Sequence, residues 1–306
     1  MSEMARPEPP DIVAPPVIPE CHAREGGHPV NTDCAVITGS PPSRGRQARG
    51  SFWNSRWLGV AFIALLLILW EIAAATAIFP PMSFPRISAI GSTWWQLVIS
   101  GELVGEVLSS LWRMFAGYFI GVALGVAIGL LMGYVRFFYN LLEPITEVLR
   151  PIPSPAYLPI MILFLGIDDE MKIFMIAFAS VFPVLLNTYS GVRSVDPIQL
   201  QTARTFGVSG RRLLTQIVLP ASSPYLFTGM RISLAVALIV MVISEMVAAS
   251  NGIGYFILSA QRGFKIRDMF AGVLTLAILG YVLNRLFLLI ENRVLAWHYG
   301  YTQQRS

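Results

Sequence analysis

RSVDPIQLQTARTFGVSGRRLLTQIVLPASSPY, residues 193–225, is the longest polar insertion inside an otherwise apolar chain. Asp196 followed by Pro197 has the form of a helix N-cap and a first-turn proline. The helix runs through Gln201 and Ala203 to a stop at Gly207, a residue able to take the left-handed conformation of a C-terminal cap. Ser209 can cap a second helix, 210–219, which Pro220 ends. Leu213, Leu214, Ile217 and Val218 give that helix one apolar face. The stretch therefore predicts a compact helical hairpin.

On both sides of it the chain is too apolar for water. Of its 306 residues 55% are hydrophobic and 13% charged, about half the charge of a soluble domain. Mean hydropathy is +0.62. The apolar residues divide into about six spans, near 57–78, 107–133, 141–166, 171–190, 226–249 and 269–291. The second carries Gly117, Gly121, Gly125, Gly129 and Gly133 on one stripe, which lets another helix approach closely. Pro151, Pro153, Pro155 and Pro159 break the third. Residues 80–105 form a connector with a short amphipathic helix around Trp94 and Trp95. The fold expected is an all-α integral membrane protein.

Basic residues near span ends orient it. Arg44, Arg46, Arg49 and Arg56 precede the first span, and Arg193, Arg204, Arg211 and Arg212 lie between the fourth and fifth. Four spans separate the two groups, so both face the cytoplasm, as do both chain termini, and the acidic turn IDDE at 167–170 faces outward. Arg262, Lys265 and Arg267 dissent, since parity places them outside. Residues 1–50, rich in Pro, Gly and Arg, cannot offset their chain entropy by burial and read as a disordered cytoplasmic tail, with the permeation domain over 51–306. AAATA at 73–77 faintly resembles a cleavage site, but the apolar run before it is longer than a signal peptide needs.

The string Gln201-Thr202-Ala203, then Gly207, nine residues, Ile217-x-Leu219-Pro220 resembles the coupling motif of ATP-binding-cassette (ABC) importer permeases. That motif begins Glu-Ala-Ala; here Gln201 replaces the Glu and Thr202 the first Ala, which removes a charge and leaves the loop geometry. LRPIPSPAYLPIMILFLGI, KIFMIAFASVFPVLLNTYSGVRSVD and ISEMVAASNGIGYFILSA are similar to the nitrate/sulfonate/taurine-type permeases, and the likeness extends over 55–298. The resemblance implies a type I permease fold in the inner membrane. It also implies a hairpin that docks on a separate cytoplasmic ATPase through Gln201, Thr202, Ala203, Arg204, Gly207, Ile217, Leu219 and Pro220. A periplasmic solute-binding protein, a homodimeric arrangement and a small anionic solute such as a sulfonate, taurine or nitrate follow from the same resemblance.

No cofactor, catalytic set or ATP site is expected: neither Lys172 nor Lys265 sits in a phosphate-binding loop. Cys21 and Cys34, with His22 and His28, lack zinc-module spacing, so no metal is expected. His298, with Trp297 and Tyr299, reads as an interfacial aromatic belt. Glu71, Arg113, Glu245 and Arg285 are charges inside spans, functional candidates unless they pair with each other or sit near the headgroups; the first three lie toward outer ends where snorkelling is open to them, and Arg285, with Asn284, lies deeper, facing protein. The broken third span, with Pro153, Ser154 and Tyr157, and the end of the fifth, with Glu245, Asn251, Gly252 and Gly254, are the candidate pathway residues. A helix-turn-helix also spaces Ala203 and Gly207 this way, but a hairpin tied to spans at both ends cannot enter a major groove, so no nucleic-acid partner is expected. A gradient-driven transporter would show internal repeats, and none is evident; a membrane enzyme lacks its catalytic residues.

Overall fold

The computed structural model describes residues 56–76 and 84–296. The tail with Cys21, Cys34, His22 and His28 lies outside these residues, as does the Trp297–Tyr299 belt with His298. The regular elements among the described residues are all helical: α1 (Arg56–Ala75), α2 (Ile87–Ile99), α3 (Glu102–Tyr134), α4 (Arg136–Leu149), a 3-10 turn (Ser154–Tyr157), α5 (Leu158–Leu165), α6 (Asp169–Arg193), α7 (Pro197–Thr205), α8 (Gly210–Leu213), a π-turn (Leu214–Val218), α9 (Leu219–Ala248), α10 (Ile253–Arg262) and α11 (Ile266–Val294). Five helical segments are long and apolar enough to cross a membrane, and α4 with α5 makes a sixth that bends by 87°. The bend falls where Pro151, Pro153 and Pro155 remove three backbone donors.

The bundle is organised around α3, α6 and α9. The glycine stripe of α3 lies directly against α6: a Cβ at Gly121 would stand 2.6 Å from both Ala177 O and Ser180 Cβ, and one at Gly129 would stand 2.7 Å from Thr188 Cβ. Glycine is what permits the two backbones to meet at this distance. Met114, Tyr118, Met171, Met175, Ile176, Leu234, Ala237 and Met241 fill the shared core. With no hydrophobic force between helices in lipid, such contact holds the bundle by dispersion and polar bonds.

Peripheral helices attach by polar tips. Glu71, expected near headgroups, instead caps α2: its carboxylate accepts from Ile87 N at 2.7 Å and from Ser88 Oγ at 2.7 Å. Trp94 Nε1 donates to Thr275 Oγ1 of α11 at 2.9 Å. From Leu58 to Leu69 every residue of α1 is exposed and none is polar, as a helix facing hydrocarbon requires.

Candidate functional site

The Asp196 carboxylate accepts from Ile198 N at 2.8 Å and starts α7, with Pro197 in the first turn. The helix ends in a Schellman cap: Gly207 N donates to Arg204 O at 2.9 Å and Val208 N to Ala203 O at 2.9 Å. Gly207 has φ +77°, where a side chain costs about 1 kcal/mol. The inner face of the hairpin, Leu200 with buried Ala203, packs toward a small core of Val192, Val195 and Val218. Its outer face exposes Gln201, Thr202, Arg204, Gly207 and the large apolar Ile198 and Phe206. Phe206 at the end of α7 is 81% exposed.

Two expectations for the second arm are corrected. Ser209 occupies the N-cap position, but its side chain makes no capping bond. Pro220 does not end the helix; α8, the π-turn and α9 form one continuous rod from Gly210 to Ala248. The π-turn ends two residues before the proline and widens the helix where the proline ring would strike the carbonyl four residues back. Ile217 and Leu219 lie half-buried in this junction and Pro220 stays exposed. The second arm of the hairpin is therefore the N-terminal extension of α9.

At the other end of the bundle lies a buried polar cluster. Arg113 on α3 is about 30 Å along the helix from Tyr134, which reaches the hairpin through its hydroxyl to Gly210 O at 3.4 Å. Arg113 and Glu245 do not snorkel outward; they are 3% and 0% exposed and paired with each other, Nη1 to Oε1, at 3.0 Å. Arg113 Nε also donates to Asp169 Oδ1 at 2.7 Å, Nη1 to Asn251 O at 3.2 Å and Nη2 to Asn251 Oδ1. The second Glu245 oxygen accepts from Ser110 Oγ at 2.9 Å and Gly254 N at 3.0 Å, while Ser110 Oγ accepts from Ile253 N at 2.8 Å. Glu106 accepts from Gly252 N. Gly252 has φ +107°, and a Cβ there would meet the Glu245 carboxylate at 2.5 Å.

The cluster thus ties α3, α9, the N-terminus of α6 and the 249–252 turn into one unit. A buried pair survives only when its remaining hydrogen bonds are satisfied, and here they are. Asp169 and Asn251 line a cleft of about 760 Å³ with Lys172, Asp168, Glu170 and Ser250.

The remaining sequence-selected residues fall elsewhere. Pro153 is exposed at the break, Ser154 opens the 3-10 turn, and Tyr157 packs edge-on against Phe178 at 5.1 Å between ring centroids. The Tyr157 hydroxyl is buried without a hydrogen-bond partner among the described residues. These three are not brought together with Glu245, Asn251 and Gly252 by any contact described. Arg285, expected to face protein, is exposed on α11.

Sequence reasoning passed over Ser110, Glu106 and Asp169, whose partners lie 56 to 146 positions away, a pairing no local pattern signals. It also passed over Arg231, where a signal existed: it is the only charged residue between Arg212 and Glu245.

Residues 121–296 match the family model described as binding-protein-dependent transport system inner membrane component. The chain is 31% identical over 246 residues to a Bacillus subtilis (strain 168) protein named for aliphatic sulfonates transport, covering 80% of this chain and 89% of that one. It is 29% identical over 248 residues to a taurine transport system permease protein of Escherichia coli (strain K12), covering 79% and 90%. It is 32% identical over 241 residues to a nitrate import permease protein of Synechocystis sp. (strain ATCC 27184 / PCC 6803 / Kazusa), covering 76% and 86%. An inward-facing structure of the MetNI methionine ABC transporter shares the fold, with TM-score 0.56 at 19% identity over 63% of this chain and 94% of that one.

Proposed function

The chain belongs to the family of binding-protein-dependent transport system inner membrane components, the permease subunits of ABC importers, and from that premise we propose how its two ends divide the work. The hairpin docks on a cytoplasmic ABC ATPase through Gln201, Thr202, Arg204 and Gly207, with Ala203, Ile217, Leu219 and Pro220 setting its shape. Both termini are cytoplasmic, and the 1–50 tail is a disordered extension. Two copies of the chain enclose the pathway, one ATPase at each hairpin. The 249–254 turn, with Asn251 held by Arg113, Gly252 by Glu106 and Gly254 by Glu245, receives a periplasmic binding protein. Pro153, Ser154 and Tyr157 at the broken span face the route of the solute. That solute is a small anion of the sulfonate, taurine or nitrate kind, a reading supported by the names of the relatives.

The observation that carries the coupling reading is the exposed, doubly capped α7 fixed to the foot of a single rod that runs from Gly210 to Ala248. A capped lever converts ATPase closure into rotation of a span, whereas a frayed loop would absorb it. The test is reconstitution of the permease with its ATPase and binding protein in proteoliposomes. ATP-dependent uptake of taurine, ethanesulfonate or nitrate that requires all three components is the expected result. Uptake that persists without the ATPase would overturn the assignment in favour of gradient-driven transport.

A further inference from the structure

Arg231 is the one basic residue of α9. From Leu213 to Ser244 no other residue is charged. It lies 14 residues from Glu245, about 21 Å along the helix, and 11 residues from Pro220, about 17 Å, so it sits well inside the span. Arg113 on α3, by contrast, is buried against two carboxylates and an asparagine. Arg231 is exposed, and its one hydrogen bond among the described residues runs from Nε to Asn284 Oδ1 at 3.3 Å. No carboxylate among those residues pairs with it. A guanidinium has five N–H donors, and a bare one in an apolar span is costly unless something supplies acceptors.

The surroundings suit a small ligand. Arg231 and Asn284 are the polar groups in a groove of about 270 Å³ between α9 and α11, otherwise lined by Leu234, Ala235, Leu238 and Leu283 among apolar neighbours. Mostly apolar walls with a few convergent polar groups are the composition of small-molecule sites. The planar fork of a guanidinium fits the oxygens of a sulfonate or nitrate, and the apolar walls strengthen that pairing. We propose that Arg231, oriented by Asn284 in the α9–α11 groove, is the anion-contacting residue of the translocation pathway, taking the oxyanion group of a small solute. The proposal rests on the permease reading and names a residue for its charge selectivity. Snorkelling to lipid phosphate is the competing use of such a side chain. Arg285, exposed on α11 and outside the groove, is the internal control.

The test uses the full chain with Cys21→Ser, Cys34→Ser and Ala235→Cys, reconstituted in phosphatidylcholine vesicles. Residue 235 lies one turn from Arg231, beside the proposed anion position. Labelling rates are compared for a methanethiosulfonate bearing a sulfonate and one bearing a trimethylammonium group. The anionic reagent should react about tenfold faster relative to the cationic one than it does with a free thiol, from one unit charge about 6 Å away. Ethanesulfonate should slow it, Arg231→Gln should bring the ratio to about that of the free thiol, and Arg285→Gln should leave it unchanged. An unreactive thiol in the Ala235→Cys chain, or a ratio indifferent to Arg231→Gln, overturns the proposal. So does protection by added phosphatidylglycerol but not by ethanesulfonate, which would assign the arginine to lipid. Failure of the permease reading is seen separately, as absence of ATP-dependent uptake by the wild-type complex, and does not alter the labelling ratio.

Discussion

Glu245→Ala should loosen the 249–254 turn without unfolding the bundle. The carboxylate is fully buried and accepts from Arg113 Nη1 at 3.0 Å, Ser110 Oγ at 2.9 Å and Gly254 N at 3.0 Å. Truncation leaves those three donors without their acceptor. Removing one member of a buried pair costs about 3–5 kcal/mol. Arg113 keeps Asp169 and Asn251, although the Asp169 side chain is 50% exposed and screened, so the lower end, about 3 kcal/mol, applies. That corresponds to a roughly 100-fold rise in local opening. Hydrogen–deuterium exchange of the detergent-solubilised chain reads it in the amides of Ile253 and Gly254. Their exchange should accelerate by about that factor, while the Val208 amide in the hairpin keeps its wild-type rate. Glu245→Gln, which retains an acceptor oxygen, should show a smaller rise. Unchanged exchange over 250–256 in Glu245→Ala would refute the clamp.

The glycine stripe makes a second prediction: Gly121→Val should lower the thermal unfolding midpoint, an overpacking cost of about 1–3 kcal/mol, because its Cβ would stand 2.6 Å from Ala177 O. Gly105→Ala, on the same helix with nothing within 4 Å of its Cβ, should leave the midpoint unchanged or raise it slightly. Asp196→Ala removes the N-cap of α7 at a cost of about 1 kcal/mol; exchange in 197–205 should quicken, and ATPase stimulation by the binding protein should fall while total expression does not.

Features written in local chemistry were legible in the chain: apolar span length, the Asp196–Pro197 start, the Gly207 stop and the glycine stripe. Pro220 misled because its usual effect is to end a helix, and a preceding π-turn that accommodates the ring carries no signature in Leu214–Val218. The charges were harder to read. Glu71 and Glu245 look alike as single acidic residues in apolar runs, yet one caps α2 from outside and the other is sealed in the core. Only the tertiary approach of α3, α6 and α9 distinguishes them. Arg231 was visible as a lone charge, but that no carboxylate among the described residues pairs with it emerges only from the tertiary structure.

Association with the cognate ABC ATPase, compared between wild type and Gly207→Pro after detergent solubilisation, tests the role of the hairpin. Proline cannot adopt φ +77° and has no N–H to give Arg204 O, so the Schellman cap is lost. The account predicts stable association for wild type and its loss in Gly207→Pro, with the unfolding midpoint of the transmembrane bundle little changed. A Gly207→Pro chain that holds the ATPase as tightly as wild type, or a wild-type chain that does not hold it at all, would contradict it.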